Sequence, residues 1–374
     1  MEQKERGYDL ALSGPFQLLG QEHDFSMGLS KRQLDYRTGN IWERFIDSNV
    51  DLFAWDPRGH TKPNIVKGPD GRLETTTQDS LYASTRLRLT EPLSLILGGR
   101  LDWYEFESRA TPASSYKVTR NLTRYAGLVY DLDANHSVYA SYTDIFKPQT
   151  EKGLGGQVIE PILGENYEVG IKGEYFDGAL NASLAVFQID QKNRAQELPD
   201  VKGCGPAANS SCHEASGLVR SRGVDLEIQG ALTENWQLAA GYTYTQTKYV
   251  SDTNATLEGQ DFNRRLPRQL FKLSTIYTLP GDLQRWRIGG DVYQQSQIRT
   301  SGGSGTTAWQ NRQGSYTVAG LVAGYKASEQ LDLQLNVNNL FDRTYYVSIA
   351  NGGYDPYDIY GDPRNMKLTA RYSF

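Results

Sequence analysis

From residue 366 to the end the chain alternates without exception: Met366, Leu368, Ala370, Tyr372 and Phe374 are separated by Lys367, Thr369, Arg371 and Ser373. A period of two sends successive side chains to opposite faces of an extended strand, so one face suits an apolar surrounding and the other suits water. The pattern recurs. Leu331, Leu333, Leu335 and Val337 alternate with Asp332, Gln334, Asn336 and Asn338; Tyr167, Val169, Ile171 and Tyr175 alternate with Glu168, Gly170, Lys172 and Glu174; Val224, Leu226 and Ile228 alternate with Asp225, Glu227 and Gln229. The runs extend for about 10 to 15 residues, whereas strands of soluble sheets average about 5 or 6, and the longer run is the length that crosses a bilayer at a tilt.

About 15 such strands are expected, near 7–20, 23–37, 75–90, 94–108, 116–131, 136–148, 163–176, 180–193, 216–230, 236–250, 266–279, 285–299, 314–326, 331–346 and 363–374. Their connections alternate in length. Short turns fall at 21–22, 91–93, 131–135, 177–179, 233–235, 280–283 and 327–330; long polar loops fall near 38–74, 109–115, 149–162, 194–215, 251–265, 300–313 and 347–362. Short connections at one end and long ones at the other are the arrangement of a bacterial outer-membrane barrel, with the long loops outside the cell. Tyr130, Tyr244 and Tyr277 fall toward strand ends, where an aromatic girdle would meet the lipid headgroups.

Composition narrows the alternatives. Hydrophobic residues make up 38% of the chain while Tyr reaches 24 and Gly 37, and no stretch approaches the roughly 20 apolar residues of a spanning helix. That leaves an all-β chain. The formal charge of −5 is spread without long runs of one sign, so no nucleic-acid partner is expected. Met1 is followed by Glu2, Gln3, Lys4, Glu5 and Arg6, which cannot form the apolar core of a signal peptide, so a chain that needs export is expected to have lost its front.

Asn336-Val337-Asn338-Asn339-Leu340-Phe341-Asp342-Arg343-Thr344-Tyr345-Tyr346 resembles the hallmark near the C-terminus of TonB-dependent outer-membrane receptors. Gly164-Glu165-Asn166-Tyr167-Glu168-Val169-Gly170 with Lys172 is similar to the family's mid-barrel motif, and Val138-Tyr139-Ala140-Ser141-Tyr142 to another of its strands. Tyr360-Gly361-Asp362-Pro363-Arg364-Asn365 resembles the ferric-siderophore branch, in particular the pyoverdine and coprogen-type hydroxamate receptors. The resemblance implies a barrel of about 22 strands closed around an N-terminal plug. Residues 1–374 would then be the C-terminal part, without plug, TonB box, signal peptide and about seven leading strands. It further implies uptake of a ferric siderophore, energised through TonB by way of the missing N-terminal region. Outer-membrane lipid is the other partner, and Tyr372-Ser373-Phe374 fits the aromatic ending read by the barrel assembly machinery. A receptor for cobalamin or a sugar, a passive porin and an adhesive barrel remain as alternatives.

Candidate ligand-binding residues are the aromatics of the long loops, where burial in the wall cannot account for them: Trp42, Trp55, Trp309, Tyr354 and Tyr357, with Phe45, Phe53 and Tyr360 beside them. Cys204 and Cys212, with seven residues between them in a Gly-, Asn- and Ser-rich stretch, suit a disulfide across a surface loop in an oxidising compartment; a zinc site including His213 is the rival. His23, His60, His136 and His213 show no ligand spacing and read as surface residues. A siderophore fills the coordination shell of its own iron, so no cofactor and no metal site is expected. No nucleophile, acid–base or phosphate motif stands in a suitable context, so catalysis is not expected. Arg86, Arg88, Arg100, Asp102, Glu168, Lys172, Glu174, Arg287 and Asp291 fall on the polar side of their strands and would line a barrel interior.

Overall fold

A computed structural model describes residues 2–39, 70–109, 112–205, 209–302, 306, 308–350 and 357–374. Its strands, in chain order, are β1 (Glu2–Leu18), β2 (Gln21–Gly39), β3 (Asp70–Arg88), β4 (Leu93–Ser108), β5 (Tyr116–Asp131), β6 (His136–Lys147), β7 (Ile162–Tyr175), β8 (Leu180–Lys202), β9 (Ser211–Thr233), β10 (Trp236–Ser251), β11 (Gln269–Thr278), β12 (Trp286–Gln295), β13 (Ile298–Gly302), β14 (Trp309–Gln313), β15 (Tyr316–Lys326), β16 (Leu331–Asn338), β17 (Tyr346–Ser348), β18 (Ile359–Tyr360) and β19 (Asn365–Tyr372). Fifteen of them form one sheet ordered as in the sequence, with β13–β14 and β17–β18 as two separate ribbons. All pairings in the sheet are antiparallel, and β1 and β19 are its two open edges among the described residues.

The register turns the alternation into two surfaces. Leu10, Leu29, Leu81, Leu101 and Leu122 are consecutive partners across β1 to β5, and Leu10 keeps 71% of its surface exposed. A continuous exposed apolar face of this extent is a surface for lipid. At the short-turn end this face carries Tyr130, Tyr175, Trp236, Tyr277, Trp286, Tyr325 and Tyr372, with Trp236 beside Tyr277, Trp286 beside Tyr325, and Tyr372 beside Phe374. Tyr142 and Tyr167, ring centroids 5.1 Å apart, lie further toward the long-loop end. The eight steps from Tyr167 to Tyr175 span about 26 Å along the strand and roughly 20 Å across a bilayer at the usual tilt, close to the height of a barrel's apolar band. Tyr244 sits in the middle of β10 and marks the band's edge only because β11 begins opposite it, at Gln269.

The nine charges expected inside all fall on the opposite face, and several are paired there. Asp102, 3% exposed, accepts from Arg100 Nε at 2.9 Å, Ser80 Oγ at 2.6 Å and Gln78 Nε2 at 2.8 Å. Glu168 accepts from Tyr139 Oη at 2.6 Å, and Arg287 Nη2 donates to Asp332 at 2.7 Å. A Cβ on Gly324 would stand 2.9 Å from the Arg287 guanidinium, so the glycine keeps the path of that side chain open.

Several expectations are corrected. The first turn is Leu19–Gly20, with φ of 55° and 78°, because a two-residue hairpin turn of the primed type needs both central residues in the left-handed region. Strand 16 ends at Asn338 rather than 346, where Asn339 and Asp342 turn the backbone with φ of 47° and 52°. The loop expected at 194–215 is mostly a continuation of the β8–β9 ladder as far as Lys202↔Ser211. His23 is 4% exposed, not a surface residue: its Nδ1 accepts from the Arg88 N–H at 3.0 Å and its Nε2 reaches Leu18 O at 3.1 Å. His136 bridges Asp133 and Tyr175, His213 has a buried Nδ1, and His60 lies outside the described residues.

Candidate ligand-binding rim

The sequence stretch from Asn336 to Tyr346 folds into a fastening. Asn339 is 4% exposed. Its Nδ2 donates to Arg343 O at 2.9 Å and to Asp362 O at 3.0 Å, and its Oδ1 accepts from the Arg343 N–H at 2.8 Å. Asn tolerates the left-handed backbone required here better than most residues. Asp342 Oδ1 accepts from the Arg364 N–H at 2.9 Å. The two motifs at 336–346 and 360–365 are thus opposite ends of one excursion, closed on themselves at the rim.

Above that closure Tyr346 pairs with Tyr360 across the β17–β18 ribbon, ring centroids 4.6 Å apart and hydroxyls 3.2 Å apart. That hydrogen bond raises the Tyr346 pKa above the ordinary phenol range. Tyr345 turns the other way, onto the buried Tyr316 at 4.6 Å, and a Cβ on Gly361 would overlap its ring. Burial raises the Tyr345 pKa.

Trp309, expected in a loop, begins β14 and lies across the backbone of its partner Gly302, where a Cβ would stand 2.7 Å from Trp309 Cζ2. The β13–β14 ribbon is tied to the neighbouring loop by side chains. Asn311 Nδ2 donates to Asp358 Oδ1 at 2.7 Å, Asp358 Oδ1 also takes the Ala350 N–H at 2.7 Å, and Thr300 Oγ1 donates to Ala350 O at 2.7 Å. Gln313 Oε1 accepts from the Tyr346 N–H at 2.9 Å, and Arg265 Nη2 donates to Ser348 Oγ at 3.2 Å. The described residues of the connections after β10, after β12 and after β16 therefore form one knitted patch. Trp309 and Tyr357 each stand within two residues of the Asn311–Asp358 tie, and Tyr357 is 75% exposed. Trp42, Trp55 and Tyr354, with Phe45 and Phe53, lie outside the described residues.

Gln149 and Gln196 carry the knitting on toward β8 and were not singled out from sequence. Gln196 Nε2 reaches Ser251 O at 3.3 Å and Asp252 at 3.0 Å; Gln149 Nε2 donates to Asn193 O at 2.7 Å. A glutamine in a polar loop carries no mark of such partners. Beyond them, Cys204 and Cys212 are joined in a disulfide, Cα atoms 5.0 Å apart. It lies buried at the tip of the β8–β9 hairpin, not open on a surface loop. Among the described residues no group of three His, Cys, Asp or Glu side chains is placed to hold a metal.

Residues 2–340 match the family model described as TonB dependent receptor-like, beta-barrel. The chain belongs to the TonB-dependent receptor β-barrel family. It is 35% identical to the ferric-pyoverdine M114 receptor PbuA of Pseudomonas sp. (strain M114), with all of this chain and 46% of that protein covered. It is 34% identical to the ferric-pyoverdine 358 receptor of Pseudomonas putida, covering 100% and 44%. The structure of P. aeruginosa FpvA bound to a heterologous pyoverdine superposes with a TM-score of 0.88 at 33% identity, over all of this chain and 48% of that one. The FpvAI–pyocin S2 complex gives a TM-score of 0.87 at 32% identity, over 100% and 47%. The chain spans about half the length of the curated relatives it matches. Within the TonB-dependent receptor family, whose members are outer-membrane transport receptors, the exposed leucine face is the lipid face.

Proposed function

We propose that this chain forms the wall and extracellular rim of a receptor for a ferric siderophore of the pyoverdine type. The observation that carries the reading is the knitted patch in which Tyr357, Trp309 and the Tyr346–Tyr360 pair are presented together on hydrogen-bonded loops. Flat rings on a fixed rim offer stacking to a planar chromophore while the ordered ties limit the entropy lost on binding. The iron arrives already chelated, so recognition rests on shape, stacking and hydrogen bonding rather than on protein ligands to the metal. Relatives named as ferric-pyoverdine receptors support the choice of ligand. In the full-length receptor a plug preceding residue 1 and a TonB partner would supply energised passage. The polar inner face, with Arg100, Asp102, Glu168 and Arg287, suits a plug or water.

The test is quenching of tryptophan fluorescence on titrating ferric pyoverdine into the purified chain in detergent. The wild type should saturate, and a Trp309→Ala/Tyr357→Ala double variant should bind roughly tenfold more weakly, as expected for two stacking contacts of about 0.5–1.5 kcal/mol each. Saturable binding that is unchanged in the double variant would remove this patch from the ligand's path. No saturable binding by the wild type would remove the ligand class.

A further inference from the structure

A cavity of about 400 Å³ opens where the 261–268 connection folds back over the ends of β10 to β12. Its walls include three arginines, Arg264, Arg268 and Arg299, against one carboxylate, Asp261. The three are brought together by the backbone: the Arg299 N–H donates to Arg264 O at 2.9 Å, and Thr245 N–H donates to Arg268 O at 2.8 Å. Asp261 is engaged by Arg268 through a short ion pair, and Arg299 stands 4.0 Å from its other oxygen. Arg264 takes a neutral partner, Gln260 Oε1 at 2.9 Å. One carboxylate cannot neutralise three guanidinium groups, and the two oxygens of Asp261 are divided between Arg268 and Arg299. The cavity wall carries two positive charges in excess, with Arg264 hydrogen-bonded to a neutral partner and Arg299 only loosely paired at 4.0 Å.

We infer that this cavity is a subsite for a carboxylate on the periphery of the bound ferric chelate, an inference that rests on the siderophore reading above. A guanidinium presents paired N–H donors in a planar fork that matches a carboxylate, and two such forks held on one backbone hydrogen bond form a clamp rather than a diffuse field. The location agrees. Arg299 precedes Thr300, whose hydroxyl ties β13 to Ala350, and Arg265 beside Arg264 reaches Ser348, so the clamp adjoins the aromatic patch. A ligand stacked on those rings could extend an acidic arm into the cavity. The remaining wall, with Tyr244, Phe262 and Leu266, lowers the local dielectric and strengthens the pairing.

The experiment compares ferric pyoverdine before and after its free carboxylates are coupled to methylamine, titrated into the purified chain and followed by tryptophan fluorescence. The wild type should prefer the untreated chelate by roughly tenfold to a hundredfold, the usual range for charge-assisted hydrogen bonds. In Arg264→Gln/Arg299→Gln the preference should fall to about one. Arg299→Lys, which keeps the charge and loses the fork, should retain an intermediate preference and serves if the double variant does not fold. Equal binding of both chelates by the wild type, or an undiminished preference in the variants, overturns the carboxylate subsite and leaves the receptor reading standing. Failure of both chelates to bind the wild type overturns the receptor reading and the subsite with it.

Discussion

Replacing Asn339 should release residues 340–350 and 357–364 while leaving the sheet intact. The side chain makes three hydrogen bonds, to Arg343 O, to Asp362 O and from the Arg343 N–H, in a site 4% exposed. At about 1 kcal/mol each, their loss in Asn339→Ala amounts to about 3 kcal/mol. Alanine also pays about 1 kcal/mol to hold a left-handed φ, for a total of about 4 kcal/mol. Asn339→Gly keeps the backbone conformation and should cost about 3 kcal/mol. Asn339→Asp keeps the acceptor for Arg343 but turns two donated bonds into carboxylate–carbonyl repulsion, so it should fall no better than the glycine. The assay is hydrogen exchange, because the excursion opens locally and a melting temperature reports the sheet. A loss of about 4 kcal/mol corresponds to exchange roughly a thousandfold faster at the protected amides of 343–348 and 359–361, with β1 to β12 unchanged. Unchanged protection there in Asn339→Ala, or loss spread evenly over the sheet, would refute the reasoning.

Two further outcomes follow from the ends of the sheet. Cys204→Ser should lower the stability of the β8–β9 tip by about 2.5 kcal/mol, the loop-closure contribution of so small a ring, and speed tryptic cleavage after Lys202 without changing the barrel's melting temperature. At the opposite end, Asp133 accepts from the N–H groups of Asn135 and His136 and from the His136 ring, which hold its pKa below the ordinary carboxylate value. A depressed carboxylate stabilises the folded turn above its unfolded pKa, and that contribution is lost as pH falls through the lowered folded value. Acid titration of the Asn135 and His136 amide signals should show the turn loosening only below the usual carboxylate range, and Asp133→Asn should remove the transition.

The sheet was legible because lipid on one side and water on the other impose a period of two over long runs; Leu331 to Asn338 and Met366 to Tyr372 announce their partners by that alone. The rim was less legible for reasons equally physical. Ile298 to Gly302 and Trp309 to Gln313 are too short and too polar to alternate, and they pair only because Trp309 covers Gly302 and Asn311 finds Asp358 far along the chain. His23 reads as a surface residue, since nothing local shows that the N–H of Arg88, on the neighbouring strand, comes to its ring. Leu19 in a left-handed turn runs against residue preference, so the first hairpin was placed two residues late. The aromatics of the loops were identifiable by type, but which of them share a patch depends on ties made by Asn, Asp, Gln and Thr, whose partners leave no periodic trace.

The long β8–β9 hairpin has a consequence for the height of the rim. The sixteen residues from Phe187 to Lys202 continue past Val186, still exposed on the lipid face, and rise roughly 50 Å along the strand at about 3.3 Å per residue. Its tip is closed by a covalent ring and leans on the connection after β6, where the His213 N–H donates to Lys152 O at 2.9 Å. An extension of that reach carries the wall well above the height of the apolar band, and its middle is braced by Gln149, Asp252 and Thr253. The register of β8 against β9 is regular from Leu180 to Gln191 and shifts only beyond it, so the irregularities of the extension leave the ladder of the wall untouched.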